Sequence, residues 1–450
     1  MEQQKFDVAV IGSGIGGLGA GALLAHSGYK TLVVEGLDRL GGRMSTIEYQ
    51  AFKLPTGAIA IHRGDQVDDI FKHVGVPVEL LDVPPLYYRL KGKDFAMPAK
   101  GSISTMLDLV GKLDVDRTKL VTGLMRAGAT EKIMGAFRKG IKEPEKEQMS
   151  FKDWLLQYTD NELAHDIFDC ISCALLGCHT FEVTAAGMFA WFVKMGGARD
   201  VGVAPHGNIR NMEKLAEVVK KNGAVWTNCP ATGITVSGGA AAGIIVQKDG
   251  KEVRVAAKMV ISNARPERTV KLAGESNFDE GYLRLLRLRI RPHPCILTFV
   301  ASDIPLWPEE GSAAILMLTG TRRIKSFVPI SIIAPQLAPP GQHLMFGLGS
   351  PVSSEKRVNV EEETRQTMLD LEEQLPRFKE HGKVLMIDVR NIDHQFPDVV
   401  TRPGAGLPPE TPVKNLYNVG DAILAPGLVG TTGAADSALR VVEIVKKKLK

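Results

Sequence analysis

Residues 8–11 form an unbroken apolar run that passes straight into Gly-Ser-Gly-Ile-Gly-Gly, and a second run, Thr-Leu-Val-Val at 31–34, ends on an acid, Glu35. Short apolar runs bounded by glycine predict strands buried on both faces, and two of them around a helix-length interval predict a parallel βαβ unit. From about residue 65 to 200 the apolar spacing becomes helical. Amphipathic segments are expected at 66–73 and 103–113, and helices burying one face at 151–158 and 162–176, while the charged, proline-broken stretch 138–147 is expected to be an exposed connection. A helix over 212–222 then leads into alternating strands and turns across 224–261, with turns at Ser237-Gly238-Gly239 and Lys248-Asp249-Gly250. Alternation of Leu and Arg predicts a strand at 286–291, followed by a helix at 361–375, a strand at 415–419 and a helix from Ala435 onward.

These elements predict an α/β protein of two interleaved domains. A Rossmann-type nucleotide domain would be assembled from residues 1–64, 205–265 and 411–450. A mixed sheet-plus-helix substrate domain would come from 65–204 and 266–410. The glycine turn carries the chemistry: Gly12 permits the tight turn, Gly14 lets backbone approach a pyrophosphate, Gly17 lets helix pack on strand, and Glu35 arrives where a ribose hydroxyl needs an acceptor. The diphosphate would rest on free N–H groups at the start of the following helix, where the dipole also favours negative charge.

Composition narrows the class. Of the 450 residues, 44% are hydrophobic and 24% charged, as in a folded globular chain, and a net charge of +4 provides no electrostatic footprint for nucleic acid. The five cysteines, an odd number, and a start that enters a strand directly lead to the expectation of a reducing, cytoplasmic setting. No apolar run reaches the roughly 18 residues of a spanning helix. Lysines in the segment 445–450 complement a helix dipole and also admit a peripheral contact with anionic lipid.

Gly41-Gly42-Arg43 after the acidic strand, together with Leu416-Tyr417-Asn418-Val419-Gly420-Asp421-Ala422, resembles the FAD-dependent amine oxidase and phytoene desaturase superfamily. Within it, Pro205-His206-Gly207-Asn208 and the segment 417–437 look most like the phytoene desaturase-like branch of carotenoid desaturases, carotenoid isomerases and retinol saturases. The resemblance implies a glutathione reductase-like FAD domain. Gly12, Ser13, Gly14, Ile15, Gly16 and Gly17 would hold the diphosphate, Glu35 and Gly36 the adenosine ribose, and Gly41, Gly42 and Arg43 the diphosphate and ribityl side. Arg43 also suits phosphate by its guanidinium fork. Gly420 and Asp421 would meet the ribityl chain, and Gly430, Thr431 and Thr432 the pyrimidine edge of the flavin. Gly57 and Ala58 would pass near its ring, and Ala231 and Ser262 near the adenine.

The implied activity is hydride transfer at the flavin that desaturates, saturates or isomerises a carbon–carbon bond of an apolar, isoprenoid or polyene substrate. A quinone, oxygen or another carrier would exchange the electrons, and the oligomeric state is left between monomer and homodimer. Two alternatives stand beside this: oxidation of an amine, for which Tyr417 is the one well-placed aromatic of the terminal motif, and non-catalytic binding of prenyl groups or lipids on the same fold. No catalytic residue is assigned. Cys170, Cys173, Cys178 and His179 have a metal-like spacing but sit among apolar neighbours, so no metal is expected. His62, Lys194, His206 and His293 belong to no recognisable constellation. Arg284, Arg287, Arg289 and Arg291 read as an exposed face with stems over apolar surface, and Trp191 and Phe192 as core or as a tunnel wall.

Overall fold

The computed structural model of the chain describes residues 4–83, 86–96, 149–195, 200–308 and 315–450. The expectations at 103–113 and 138–147 lie outside these residues. Two seven-stranded sheets organise the rest. The first has the order Gly223–Trp226, Thr31–Val34, Gln4–Ile11, Lys251–Ser262, Ala240–Lys248, Ala231–Ser237, with Leu416–Asn418 pairing the end of Lys251–Ser262. Its first four strands run parallel, and Ala231–Ser237, Ala240–Lys248 and Lys251–Ser262 form an antiparallel meander. The strand Lys251–Ser262 therefore serves twice: its first half closes the meander, and its second half pairs in parallel with both Gln4–Ile11 and Leu416–Asn418.

Helices Ile15–His26, Gln66–His73, Asn208–Lys220 and Gly430–Leu449 cover one face of this sheet. Every residue of Ile15–His26 except the last is buried, which is why the segment is apolar on all sides. Gln66–His73 starts at Asp65, whose carboxylate accepts from Val67 N and Asp68 N. Glu162–Leu176 has the predicted bounds and ends at Gly177, a left-handed residue with φ of 70°.

The second sheet, in the order Gly382–Arg390, Cys295–Ser302, His343–Gly349, Ile324–Val328, Ile315–Leu318, Leu86–Leu90, Lys93–Ala96, is antiparallel except between Ile315–Leu318 and Leu86–Leu90. Phe299, Phe346, Ile330 and Leu344 fill its core.

One element is corrected. Residues 286–291 do not form a strand, because Glu280–Arg289 is a helix. Tyr282, Leu286 and Ile290 are buried at intervals of four, the helical period, and Asp279 caps the start by accepting from Tyr282 N. The three positions between Leu286 and Ile290, namely Arg287, Leu288 and Arg289, are all exposed, so the alternation of Leu and Arg in sequence does not follow burial. The last helix also begins earlier than expected, at Gly430.

Candidate FAD site

The site lies at the carboxyl edge of the first sheet. Val34 and Ser262 both stand level with Ile11, and Asn418 with Ser262, so the next residues of these strands, Glu35, Gly12, Asn263 and Val419, emerge together. Ligands of open α/β sheets bind at this edge. Gly12 turns the chain with φ of 90°, and its N–H donates to the Val34 carbonyl at 2.8 Å.

A cavity of about 900 Å³ opens there. Of the sequence-predicted residues, Gly12, Ser13, Gly14, Ile15, Gly16, Glu35, Gly36, Gly41, Gly42, Arg43, Gly57, Ala58, Ala231, Gly420, Asp421, Gly430, Thr431 and Thr432 all line it. Gly17 and Ser262 lie behind the wall. A Cβ on Gly17 would sit 2.1 Å from the Gly12 carbonyl oxygen, so this glycine serves helix-on-turn packing instead of ligand contact. Ser262 is fully buried and receives the Thr269 hydroxyl at 2.7 Å. The strand's alternation brings its neighbour Asn263 to the cavity.

The side chains fit a dinucleotide. Glu35 accepts from Ser13 N at 2.9 Å, Ser13 Oγ at 2.6 Å and Leu37 N at 3.0 Å. Two carboxylate oxygens have about four acceptor positions, which leaves capacity for a ribose hydroxyl. Asn263 faces the glycine turn: Cβ atoms built on Gly14 and Gly16 would lie 2.7 Å from its Nδ2 and 2.5 Å from its Oδ1. That Oδ1 is buried without a hydrogen-bond partner. Neither Gly14 nor Val429, the residues that precede Ile15–His26 and Gly430–Leu449, caps its helix with a side chain. The first-turn N–H groups of both helices are therefore without a side-chain acceptor at the cavity, an arrangement that favours an anion.

Arg43 is committed differently from the sequence expectation. Its guanidinium forks onto Asp421 at 2.9 and 2.5 Å and also donates to the Asp398 carbonyl at 2.9 Å, so the Arg43–Asp421 pair clamps the turn after Gly42 to the C-terminal segment. The Thr432 hydroxyl donates to Asp65 at 2.5 Å, leaving its backbone N–H for a ligand. The loop after Gly382–Arg390 contributes Gln395 to Val400 to the cavity wall, with Phe396 3.9 Å from a Cβ built on Gly42. Asn263 and this loop escaped the sequence reading. The one available signal was a polar residue directly following an apolar strand.

Beyond the cradle the cavity reaches the second sheet and helix Ala185–Met195, where Leu86, Trp191, Leu297, Ile315, Met317, Val328, Phe346 and Leu348 wall it. His62 lines it too, and burial pushes its imidazole below the usual value against the pull of Asp65 and Asp200. Phe192, Lys194, His206 and His293 do not line it. Tyr417 is 2% exposed in the core beneath Gly430–Leu449, with the Lys448 ammonium 5.4 Å from its ring centre, and does not face the cavity.

The cysteine cluster resolves into separate contacts. Cys170 donates to the Lys325 carbonyl, and the Ser172 hydroxyl donates to the Cys178 carbonyl. Cys173, His179 and Asp169 come together, but His179 donates from Nδ1 to Asp169 at 2.8 Å and from Nε2 to the Pro351 carbonyl at 2.7 Å, which fixes it as an imidazolium. The Asp169 hydrogen bond raises His179 to about 11 against the opposing effect of burial, and burial pushes the Cys173 thiol to about 11. Lys325 stands 3.5 Å from Asp169, so the group is an ion-pair network with its positive charge already supplied. Arg287 pairs with Glu280, and Arg291 donates to the Arg287 carbonyl at 2.7 Å.

Comparison with known proteins agrees with this construction. An oxidoreductase of Methanosarcina mazei superposes with a TM-score of 0.82 at 26% identity, over 98% of this chain and 100% of that one. Putrescine oxidase with bound putrescine superposes with a TM-score of 0.71 at 18% identity, over 99% and 100% of the two chains, a likeness of fold. The 4,4'-diapolycopen-4-al dehydrogenase of Metabacillus indicus is 33% identical over 90 residues, 19% of this chain and 18% of that protein. The family model described as flavin containing amine oxidoreductase matches residues 15–446. The chain therefore belongs to the flavin-containing amine oxidoreductase family, and its cofactor is FAD.

Proposed function

We propose that this oxidoreductase desaturates, saturates or isomerises a carbon–carbon bond in an elongated apolar molecule, of the isoprenoid or polyene class. The observation that carries the reading is the apolar chamber continuous with the FAD cradle, from Leu86 and Trp191 to Phe346 and Leu348. Such a wall binds a hydrocarbon chain by removing its surface from water, at about 25 cal/mol per Å². Bound FAD supplies hydride acceptance and return. The first-turn N–H groups at Gly430 to Thr432 would stabilise the negative charge that grows on the pyrimidine edge during reduction. Trp191 and its neighbours would exclude water and hold the reacting bond in place. A quinone, oxygen or another carrier completes the electron balance. Tyr417, the aromatic on which amine oxidation would have drawn, lies in the core, which weighs against that reading.

Anaerobic addition of phytoene, retinol, benzylamine or NADPH to the purified protein tests the proposal through bleaching of the flavin absorbance. Bleaching by phytoene is expected for desaturation, and return of the flavin absorbance when retinol is added to pre-reduced protein is expected for saturation. Bleaching by benzylamine alone would replace it with amine oxidation, and a colourless protein that retains lipid would replace it with non-catalytic binding.

A further inference from the structure

Removing two hydrogens across a carbon–carbon bond takes one as hydride, with its electron pair, to the oxidised flavin. The other leaves as a proton, and its C–H electron pair becomes the new π bond. The flavin balances the first transfer, while the second needs a base in the chamber. We propose that Asp398 is that base, the residue that receives the substrate proton during desaturation and returns one during saturation. This rests on the carbon–carbon reading above.

The argument is geometric. Asp398 lines the cavity where the FAD cradle meets the apolar chamber, beside Gly177 and Cys295. Its backbone is fixed from both sides: its N–H donates to the His293 carbonyl at 2.9 Å, and its carbonyl accepts from Arg43 at 2.9 Å. Among the described residues its carboxylate accepts no hydrogen bond, in contrast to Glu35, Asp169, Glu182 and Asp421, whose oxygens are all engaged. Oδ2 lies beside Gly177, at the end of helix Glu162–Leu176, where a built Cβ would be only 2.7 Å away.

The charged and titratable groups near it are Arg43 and Asp421 from the cradle, His293 from the connection before Cys295–Ser302, Arg390 at the end of Gly382–Arg390, and the Cys295 and Cys178 thiols. Burial raises the Asp398 carboxyl to about 6, with Arg43 the strongest opposing influence. A raised carboxyl is protonated below that value and an anion above it, which is suited to exchanging a proton near neutrality.

Infrared difference spectra of the FAD-loaded protein, taken between about pH 4.5 and 8, read the carboxylic C=O band without substrate. A band titrating near 6 is expected in the parent and should be lost in Asp398→Asn, which keeps side-chain size and both backbone contacts. No such band in the parent, or its persistence in the variant, would overturn the assignment. With phytoene as the probe of desaturation, flavin reduction in Asp398→Asn should fall about 100-fold and lose its rise with pH through about 6. Equal rates in the two proteins would also overturn it. A parent unreactive to the whole panel would instead sink the proposed reaction, while the infrared titration still decides whether Asp398 holds the proton.

Discussion

Glu35 was expected to matter through the ligand, yet the structure gives it a second role that operates without one. Its carboxylate is 9% exposed and ties three groups together: Ser13 N, Ser13 Oγ and Leu37 N. In Glu35→Ala the Ser13 hydroxyl can rotate, and it already accepts from Gly41 N at 3.1 Å. The two backbone N–H groups cannot. Each orphaned buried donor costs about 1–3 kcal/mol, and because water reaches the cavity side the lower half of that range applies, so the FAD-free protein should lose about 3 kcal/mol. Glu35→Gln retains one acceptor oxygen and should lose about half as much. The assay is urea unfolding of FAD-free protein followed by circular dichroism, with FAD retention measured separately. If FAD-free Glu35→Ala unfolds within about 0.5 kcal/mol of the parent, the carboxylate does not hold the turn and the reasoning fails.

Gly17→Ala should destabilise by about 2–3 kcal/mol, since its Cβ meets the Gly12 carbonyl oxygen at 2.1 Å and backbone must move; an unchanged urea midpoint would refute the close packing. Asn263→Ala should leave the unfolding midpoint of FAD-free protein near that of the parent but weaken FAD retention about tenfold, measured by equilibrium dialysis. The Asp169–His179 pair sets a pH window. His179, raised to about 11, contributes stability that is complete below its ordinary value near 6.5 and lost as pH rises through 11. Asp169, lowered by its hydrogen bond from His179 although burial opposes it, contributes above its ordinary value near 3.8 and loses that contribution as pH falls below it. The contribution of this pair should therefore be complete between about 3.8 and 6.5, and Asp169→Asn should be less stable than the parent across that range. A chelator should leave the midpoint unchanged, because Lys325 already supplies the charge a metal would bring.

The parallel core of the first sheet was legible because Val8–Ile11, Leu32–Val34 and Met259–Ile261 are short apolar runs and its turn chemistry is glycine-specific. Residues that approach the cofactor through backbone, such as Gly14 and Gly41, announce themselves by having no side chain. Asn263 was missed because the choice between it and Ser262 is a matter of one position in strand register, set by pairing with Gln4–Ile11. The helix Glu280–Arg289 was misread because its apolar positions alternate locally, while the burial that decides its period comes from Val400 and Leu407, over a hundred positions further on. Asp398 carried no signal at all: its place depends on a loop from the second half of the chain reaching Arg43 in the first, 355 positions apart.

That same separation governs how the protein is born. Arg43 and Asp421 stand 378 positions apart, and the strand Leu416–Asn418 and helix Gly430–Leu449 complete a sheet and a layer whose other members come far earlier in translation. During synthesis the glycine turn must wait, its partner surface covered by nothing, until almost the entire polypeptide has left the ribosome. Contacts of such long range make folding slow. Cofactor capture is therefore a late event in the maturation of this enzyme, and nascent chains halted before Leu416 should emerge without flavin.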